Sequence, residues 1–399
     1  MGSRITREGL PLTAVLVLGA SPAQMGILSA TGGASVLLFS LAAGVIVDRV
    51  RRRPVMIAAD LGRALLLVSI PVLALSHSLS MIHLIVVAAC SGILTVLFDV
   101  AYQSYLPSLV GSDDLLEGNR LLSISSATAE VLGPSLTGIL VQLISAPLAV
   151  LLDAVSFLVS GISVWAIRVS ECPAQASPRT SFREEMLGGM RTILAHPLLR
   201  ALLFRASTAF FSMGLGLFSF YVLYAIQVLR LNPAQLGLAI ALGGVGSLAG
   251  GLMAGHVARR FEVKFSFVAS AVIIGCAQLF IPLASLSPRF ALLFLCLQQL
   301  IGDWAWTIYF VNETTLRQSV APAHLLGRVN AAMQFASRGM LPIGALIGGF
   351  LGSSIGITNT IWIGTAGVLL STLWLLPFPR SGDLSSAGPG ADREVHSRK

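Results

Sequence analysis

Long apolar runs separated by short polar breaks make up most of this chain. They cover residues 25–47, 55–75, 82–105, 121–144 and 147–167, then, after a polar stretch at 168–200, residues 201–226, 234–257, 265–286, 290–311, 329–351 and 359–376. Each run is close to the ~20 residues a helix needs to cross the hydrocarbon layer of a bilayer. A shorter run, 10–20, comes first, with Arg4, Arg7 and Glu8 ahead of it and Ser21-Pro22 at its end. It reads as half a helix or as a helix carrying charge at mid-depth. The pattern predicts an all-α polytopic membrane protein of about twelve spans, the first helix truncated.

Composition supports this and narrows the partners. Of 399 residues, 55% are hydrophobic and only 11% charged, and the mean hydropathy is +0.84. The lipid bilayer must therefore solvate most of the outer surface. The net charge of +8 does not point to nucleic acid, because the basic residues lie in short breaks between apolar runs. One set of breaks holds Arg49, Arg51, Arg52 and Arg53, then Arg120, the 168–200 stretch, Arg259, Arg260 and Lys264, Arg317 and Arg328, and the tail; the alternate set holds only Arg230 and Arg289. The positive-inside rule places the first set, and the C-terminus, in the cytoplasm of a multi-pass protein of the cell membrane. Cys90, Cys172, Cys276 and Cys296 lack paired ligand spacing and read as small apolar fillers.

The polar stretch is a joint. Ser181-Phe-Arg-Glu184 has the form of a capping box, and Phe182, Met186, Met190 and Ile193 follow at helical spacing before His196-Pro197. This is a short amphipathic helix on the inner membrane surface or a solvated linker helix. On either side the sequence repeats. Pro22-Ala-Gln24-Met-Gly26 returns as Pro233-Ala-Gln235-Leu-Gly237, Gly32-Gly33 as Gly243-Gly244, and Gly44-x-x-x-Asp48-Arg49 as Gly255-x-x-x-Arg259-Arg260. Further on, Leu106, Val110, Leu115-Leu116 and Gly138 fall on Leu316, Val320, Leu325-Leu326 and Gly348, one residue out of that register. The expected layout is an N-terminal half at 1–168, a cytoplasmic linker at 169–200, a C-terminal half at 201–377 and a disordered cytoplasmic tail at 378–399. Two similar six-helix halves around a central site are the plan of a transporter.

The loop Gly44-Val-Ile-Val-Asp48-Arg49-Val-Arg51-Arg52-Arg53-Pro54 resembles the signature loop of the major facilitator superfamily, with Arg51 where that loop has its second glycine. Phe98-Asp99-Val-Ala-Tyr-Gln-Ser-Tyr-Leu106-Pro107, Asp114-Leu-Leu-Glu-Gly-Asn119 and Gly133-Pro134 resemble the bacterial branch that includes the enterobactin exporter and macrolide efflux pumps. The resemblance covers nearly the whole chain and implies two pseudo-symmetric six-helix halves, the major facilitator fold. It also implies that Gly44, Asp48, Arg49, Arg52 and Arg53 form a conformational latch against the other half. The alternative is an anchor that sets topology only. Gly133, Pro134 and Gly138 resemble the fifth-helix motif of antiporters; close helix packing is its plainer explanation.

Charges inside apolar runs are functional by default. Glu130, Asp303 and Arg338 fall near mid-depth of the fifth, tenth and eleventh helices, and Arg7 and Glu8 lie more than two turns inside the first. By resemblance these helices line the central cavity. Glu130 or Asp303 is expected to take up a proton, and Arg7 or Arg338 to bind an anionic part of a substrate or neutralise an acid. Structural ion pairing is the competing explanation. Asp60 with Arg63, Asp99, Asp153 and Arg205 are expected in structural roles, and Trp304, Trp306 and Tyr309 in either the cavity wall or ordinary packing. There is no Walker phosphate loop, no metal-spaced His/Cys cluster and no catalytic constellation, so no enzyme, cofactor or metal is expected. The functional expectation is proton-coupled efflux of small organic molecules by a monomeric secondary transporter. A facilitator or importer, and a non-transporting sensor with the same fold, are the alternatives.

Overall fold

The structure is a computed structural model that describes residues 2–47, 50–110, 115–167, 182–261, 263–322 and 325–376. The described chain is nearly all helix. In the N-terminal half the helices are α1 (Gly2–Leu16), α2 (Pro22–Val47), α3 (Arg52–Leu75), α4 (Met81–Val110), α5 (Leu115–Leu143) and α6 (Ala146–Ala166). A joining helix α7 (Phe182–Ala195) follows. The C-terminal half starts with α8 (Pro197–Ser212), which continues through π-helical turns around α9 (Tyr221–Leu223). Then come α10 (Pro233–Arg260), α11 (Val263–Gln278) with its short extension α12 (Phe280–Leu283), α13 (Ala291–Val320), α14 (Leu326–Arg338) running on into α15 (Met340–Ser354), and α16 (Ile357–Leu370).

Among the described residues, ten helical stretches are long and apolar enough to cross a membrane. The shorter α1 and α16 complete two groups of six. Arg7 and Glu8, placed by the sequence ahead of the first apolar run, lie inside α1 itself. Leu65 and Leu252 are 75% and 87% exposed, a loss no soluble surface would accept in bulk and one that lipid removes.

The repeated Pro-Ala-Gln segments begin α2 and α10, and local chemistry explains them. Ser21 and Asn232 are the caps: each side chain accepts from the backbone N–H of Gln24 or Gln235, at 3.3 and 2.8 Å. Each glutamine reaches back to the cap's own N–H, at 2.9 and 3.0 Å. Proline follows the cap, where its missing N–H costs nothing. One turn on, Gly26 and Gly237 are where the halves meet. A methyl on Gly26 would stand 2.5 Å from the Ala345 carbonyl oxygen and 2.7 Å from Gly349 Cα. A methyl on Gly237 would stand 2.5 Å from the Pro134 carbonyl oxygen and 3.0 Å from Gly138 Cα. So α2 packs on α15, and α10 on α5, backbone against backbone. These contacts also correct one pairing of the repeat: Gly138 corresponds in space to Gly349, not Gly348.

The joining helix is held against the C-terminal half. Its Met186–Met190–Ile193 face does not lie open to lipid. Ile193 is wholly buried, Gly189 lies against the Arg328 backbone, and the helix packs on α14.

Candidate functional site

Between the halves lies a cavity of about 680 Å³, its wall drawn from α1, α2, α4 and α5 on one side and the π-helical turn after α8, α9 to α13 and α15 on the other. Its charged groups are Arg7, Glu8, Glu130 and Asp303. Arg7 sits between two acids of its own half, with Nε 3.7 Å from Glu8 Oε1 and Nη1 3.9 Å from Glu130 Oε1. Asp303 comes from the other half and is within electrostatic reach of both Arg7 and Glu130. Three acids and one base therefore face one another across the line along which the halves meet.

Backbone features seat these groups. Pro134 cannot donate to the Glu130 carbonyl, so α5 loses one helical hydrogen bond just where its acid meets the cavity. That carbonyl stands 3.2 Å from where a methyl on Gly244 would be. The neighbouring Gly243 makes room for Asp303, whose Oδ2 occupies the space a side chain there would need. The second Gly-Gly pair thus admits the acid of α13 through one member and packs α10 on α5 through the other.

The polar wall is richer than charge alone. Gln278, Gln298, Gln299, Ser91 and Tyr221 all line the cavity. Gln298 donates to Gln278 at 3.4 Å, while Gln298 Oε1 and the Ser91 hydroxyl have no protein partner. Buried polar atoms of this kind need water or a ligand. Leu28, Met213, Leu217, Phe218 and Ile281 supply the apolar remainder. Large, mostly apolar, with a few converging polar groups, the cavity has the character of a small-molecule site.

The family model described as Major Facilitator Superfamily matches residues 9–341. The chain belongs to the Major Facilitator Superfamily. It is similar to the multidrug efflux pump Tap of Mycolicibacterium fortuitum, 26% identical over 399 residues, covering 97% of this chain and 94% of the pump. It is also similar to the enterobactin exporter EntS of Salmonella typhi, 23% identical over 355 residues, covering 88% and 83%. Among solved structures, a bacterial homologue of the iron transporter ferroportin in the inward-facing state superposes with TM-score 0.72 at 16% identity, covering 94% of this chain and 96% of that one. The D323A mutant of the nucleoside transporter NupG gives 0.76 at 10% identity, covering 94% and 95%. Those two likenesses show the fold alone. This superfamily member is a multi-pass membrane transporter rather than an enzyme, with efflux pumps among its relatives and the bilayer and a small-molecule substrate as its partners.

Of the charges singled out in the sequence, Arg7, Glu8, Glu130 and Asp303 come together in the superfamily cavity; Arg338 does not. It is exposed at the end of α14 and is absent from the cavity wall. Trp304, Trp306 and Tyr309 are also absent from that wall. Trp306 meets Phe210 edge-on, and Tyr309 stacks on Phe267 at 4.7 Å. In the signature loop, Gly44 lies in α2, Asp48 and Arg49 lie outside the described residues, and Arg52 opens α3. Arg53 donates through Nε to the Val164 carbonyl at 3.1 Å and through Nη2 to the Trp165 carbonyl, closing the end of α6. Gly133, Pro134 and Gly138 all belong to α5, with Pro134 on the cavity and Gly138 on α10.

The remaining intramembrane charges lie off the cavity. Arg63 Nη2 is 2.5 Å from Asp60 Oδ1, and its guanidinium lies between the Phe98 and Phe157 rings, 4.7 and 4.1 Å from their centroids. Arg205 is 1% exposed, with its guanidinium 3.9 Å over the Tyr309 ring. Asp99 is exposed on α4 within electrostatic reach of Arg63, and Asp153 is wholly buried on α6. Sequence reading missed Tyr221 and the glutamines. The adjacent amides Gln298-Gln299 inside an apolar run were the available signal.

Proposed function

We propose that this transporter is a secondary-active exporter of the cell membrane that moves small organic molecules outward, in exchange for protons, by alternating access. The observation that carries the reading is the facing of Arg7 and Glu130 in one half with Asp303 in the other, inside a cavity large enough for a drug-sized molecule. Glu130 and Asp303 are the acids that take up protons, and Arg7 neutralises whichever is ionised. Three acids against one base favour an amphipathic organic cation, which competes with protons for the carboxylates. Tap is a multidrug efflux pump and EntS an enterobactin exporter, and both fit this direction. The chain works as a monomer, with the 1–168 and 201–377 halves joined on the cytoplasmic side, where the C-terminus also lies.

Everted membrane vesicles test the reading with ethidium as probe. Internal acidification should drive ethidium into wild-type vesicles, and Glu130→Gln with Asp303→Asn should abolish the pH-driven part while leaving exchange down a gradient. Transport that keeps its full dependence on the pH gradient in the double variant would sink the assignment of the acids. Accumulation driven in the opposite direction would favour an importer.

A further inference from the structure

Asp153 lies apart from the charged groups of the cavity. It lies on α6, none of whose residues line the cavity, and it is wholly buried. Its Oδ1 accepts from the Ser156 hydroxyl at 2.9 Å and its Oδ2 from the Thr6 hydroxyl. No described cation forms an ion pair with it. The helices packed on α6 are α1, α3 and α5. Their described charged side chains are Arg7 and Glu8, engaged with each other and with Glu130 in the cavity, Arg52 and Arg53 at the α6 terminus, and Asp60 with Arg63. Asp99 on α4 stands beyond Arg63. Among the described residues, Arg63 is the one buried cation within electrostatic reach of Asp153, and its closest carboxylate is Asp60.

Charge accounting then decides. Asp60 and Asp153 are both fully buried, and Arg63 is 3% exposed. One guanidinium cannot neutralise two carboxylates, and a surplus ionised carboxylate away from water costs several kcal/mol. Asp60 has the direct partner; Asp153 is held by the Ser156 hydroxyl and by the hydroxyl and backbone N–H of Thr6. A carboxyl held by hydrogen bonds, without an ion-pair partner, can accept and release one proton.

We infer that Asp153 is a proton-binding site behind the cavity wall, and that Thr6 conveys its state to the transport site. This rests on the proton-coupled reading above. Thr6 lines the cavity, and the next residue is Arg7. With Asp153 ionised, the Thr6 hydroxyl donates to it. When Asp153 gains a proton from cavity water, its new O–H donates to Thr6 Oγ1. The Thr6 hydrogen must then turn to another acceptor, and the cavity is where its side chain opens. Protonation on α6 thus reverses a hydrogen bond at the foot of the Arg7–Glu130 contact.

Infrared difference spectroscopy on the purified full chain in liposomes, stepped through pH, tests the site without a substrate. The expected result is a carboxylic-acid C=O band that vanishes in Asp153→Asn, shifts in Thr6→Val and is restored in Thr6→Ser. A band unchanged in Asp153→Asn overturns the inference. In everted vesicles, Asp153→Asn and Thr6→Val should each lose most of the pH-driven ethidium accumulation. Exchange should persist, and Thr6→Ser should keep coupling. Full coupling in Asp153→Asn and Thr6→Val overturns the role of Thr6. If wild type moves no ethidium, the export reading fails for that probe while the infrared result still decides the proton site.

Discussion

The two glycine contacts between the halves permit a quantitative prediction. In Gly237→Ala the new methyl carbon would stand 2.5 Å from the Pro134 carbonyl oxygen and 3.0 Å from Gly138 Cα. Comfortable carbon contacts lie at ~3.5–4.0 Å, so α5 and α10 must part by about 1 Å. Neither obstacle is a flexible side chain, so the strain cannot be relieved locally. Overpacking of this kind costs ~1–3 kcal/mol, which lowers the population with this seam closed roughly 5- to 150-fold. Gly26→Ala should act alike, since its methyl would meet Ala345 O at 2.5 Å. Spin labels report the seams directly, in a background lacking the four native cysteines. Gln142 and Gln227 are exposed at the same end of the bundle for one seam, as are Val17 and Ser353 for the other. Double electron–electron resonance should show a longer-distance population growing in each variant at its own label pair. Distance distributions identical to the parent, with unchanged thermal stability, would refute backbone contact as what holds the halves together at that end.

Other outcomes follow from named contacts. Arg63→Ala leaves Asp60 buried without its partner and should cost ~3–5 kcal/mol, read as a lower midpoint of unfolding in detergent, whereas Asp60→Leu with Arg63→Met should recover most of it. Arg53→Met removes two donors from the end of α6 and should speed hydrogen exchange there, a loss of ~1–3 kcal/mol in local stability. Asp48→Asn should lower transport while leaving insertion and orientation intact; removal of the loop arginines should disturb orientation, as mapped by thiol labelling from each side. Normal transport in Asp48→Asn would reduce the loop to an anchor.

Spans, halves and the identity of the charged residues were legible because each rests on one-dimensional facts: run length, repeat spacing and the cost of charge in lipid. The rotation of each helix was not. An α-helix that is apolar all round, such as α2, carries no stripe to say which side faces its neighbours, and one residue turns the face by about 100°. Arg338 shows the consequence: its depth was readable, but its absence from the cavity wall was not. The converse holds for Gln298 and Tyr221, unremarkable as polar residues in an apolar run until α13 and α9 point them at common space. Asp153 was placed correctly inside its helix, yet its contact with Thr6 joins residues far apart in the chain, through a packing of α1 on α6 that no local pattern encodes. The face of α7 shows the limit from another side. Its apolar spacing signals a surface to be covered, but lipid and the α14 helix satisfy it equally well.

The seams are made of main chain and glycine, and this separates two jobs that a single ring of side chains would have to share. Where glycine meets main chain, as at Gly26 and Gly237, the contact offers a passing molecule little to recognise and has no rotamers to freeze. Discrimination therefore has to reside in the cavity, where the amides, Tyr221 and the carboxylates are. A descendant of this chain could exchange those residues for others and acquire a new cargo while the glycine contacts between the halves stayed as they are.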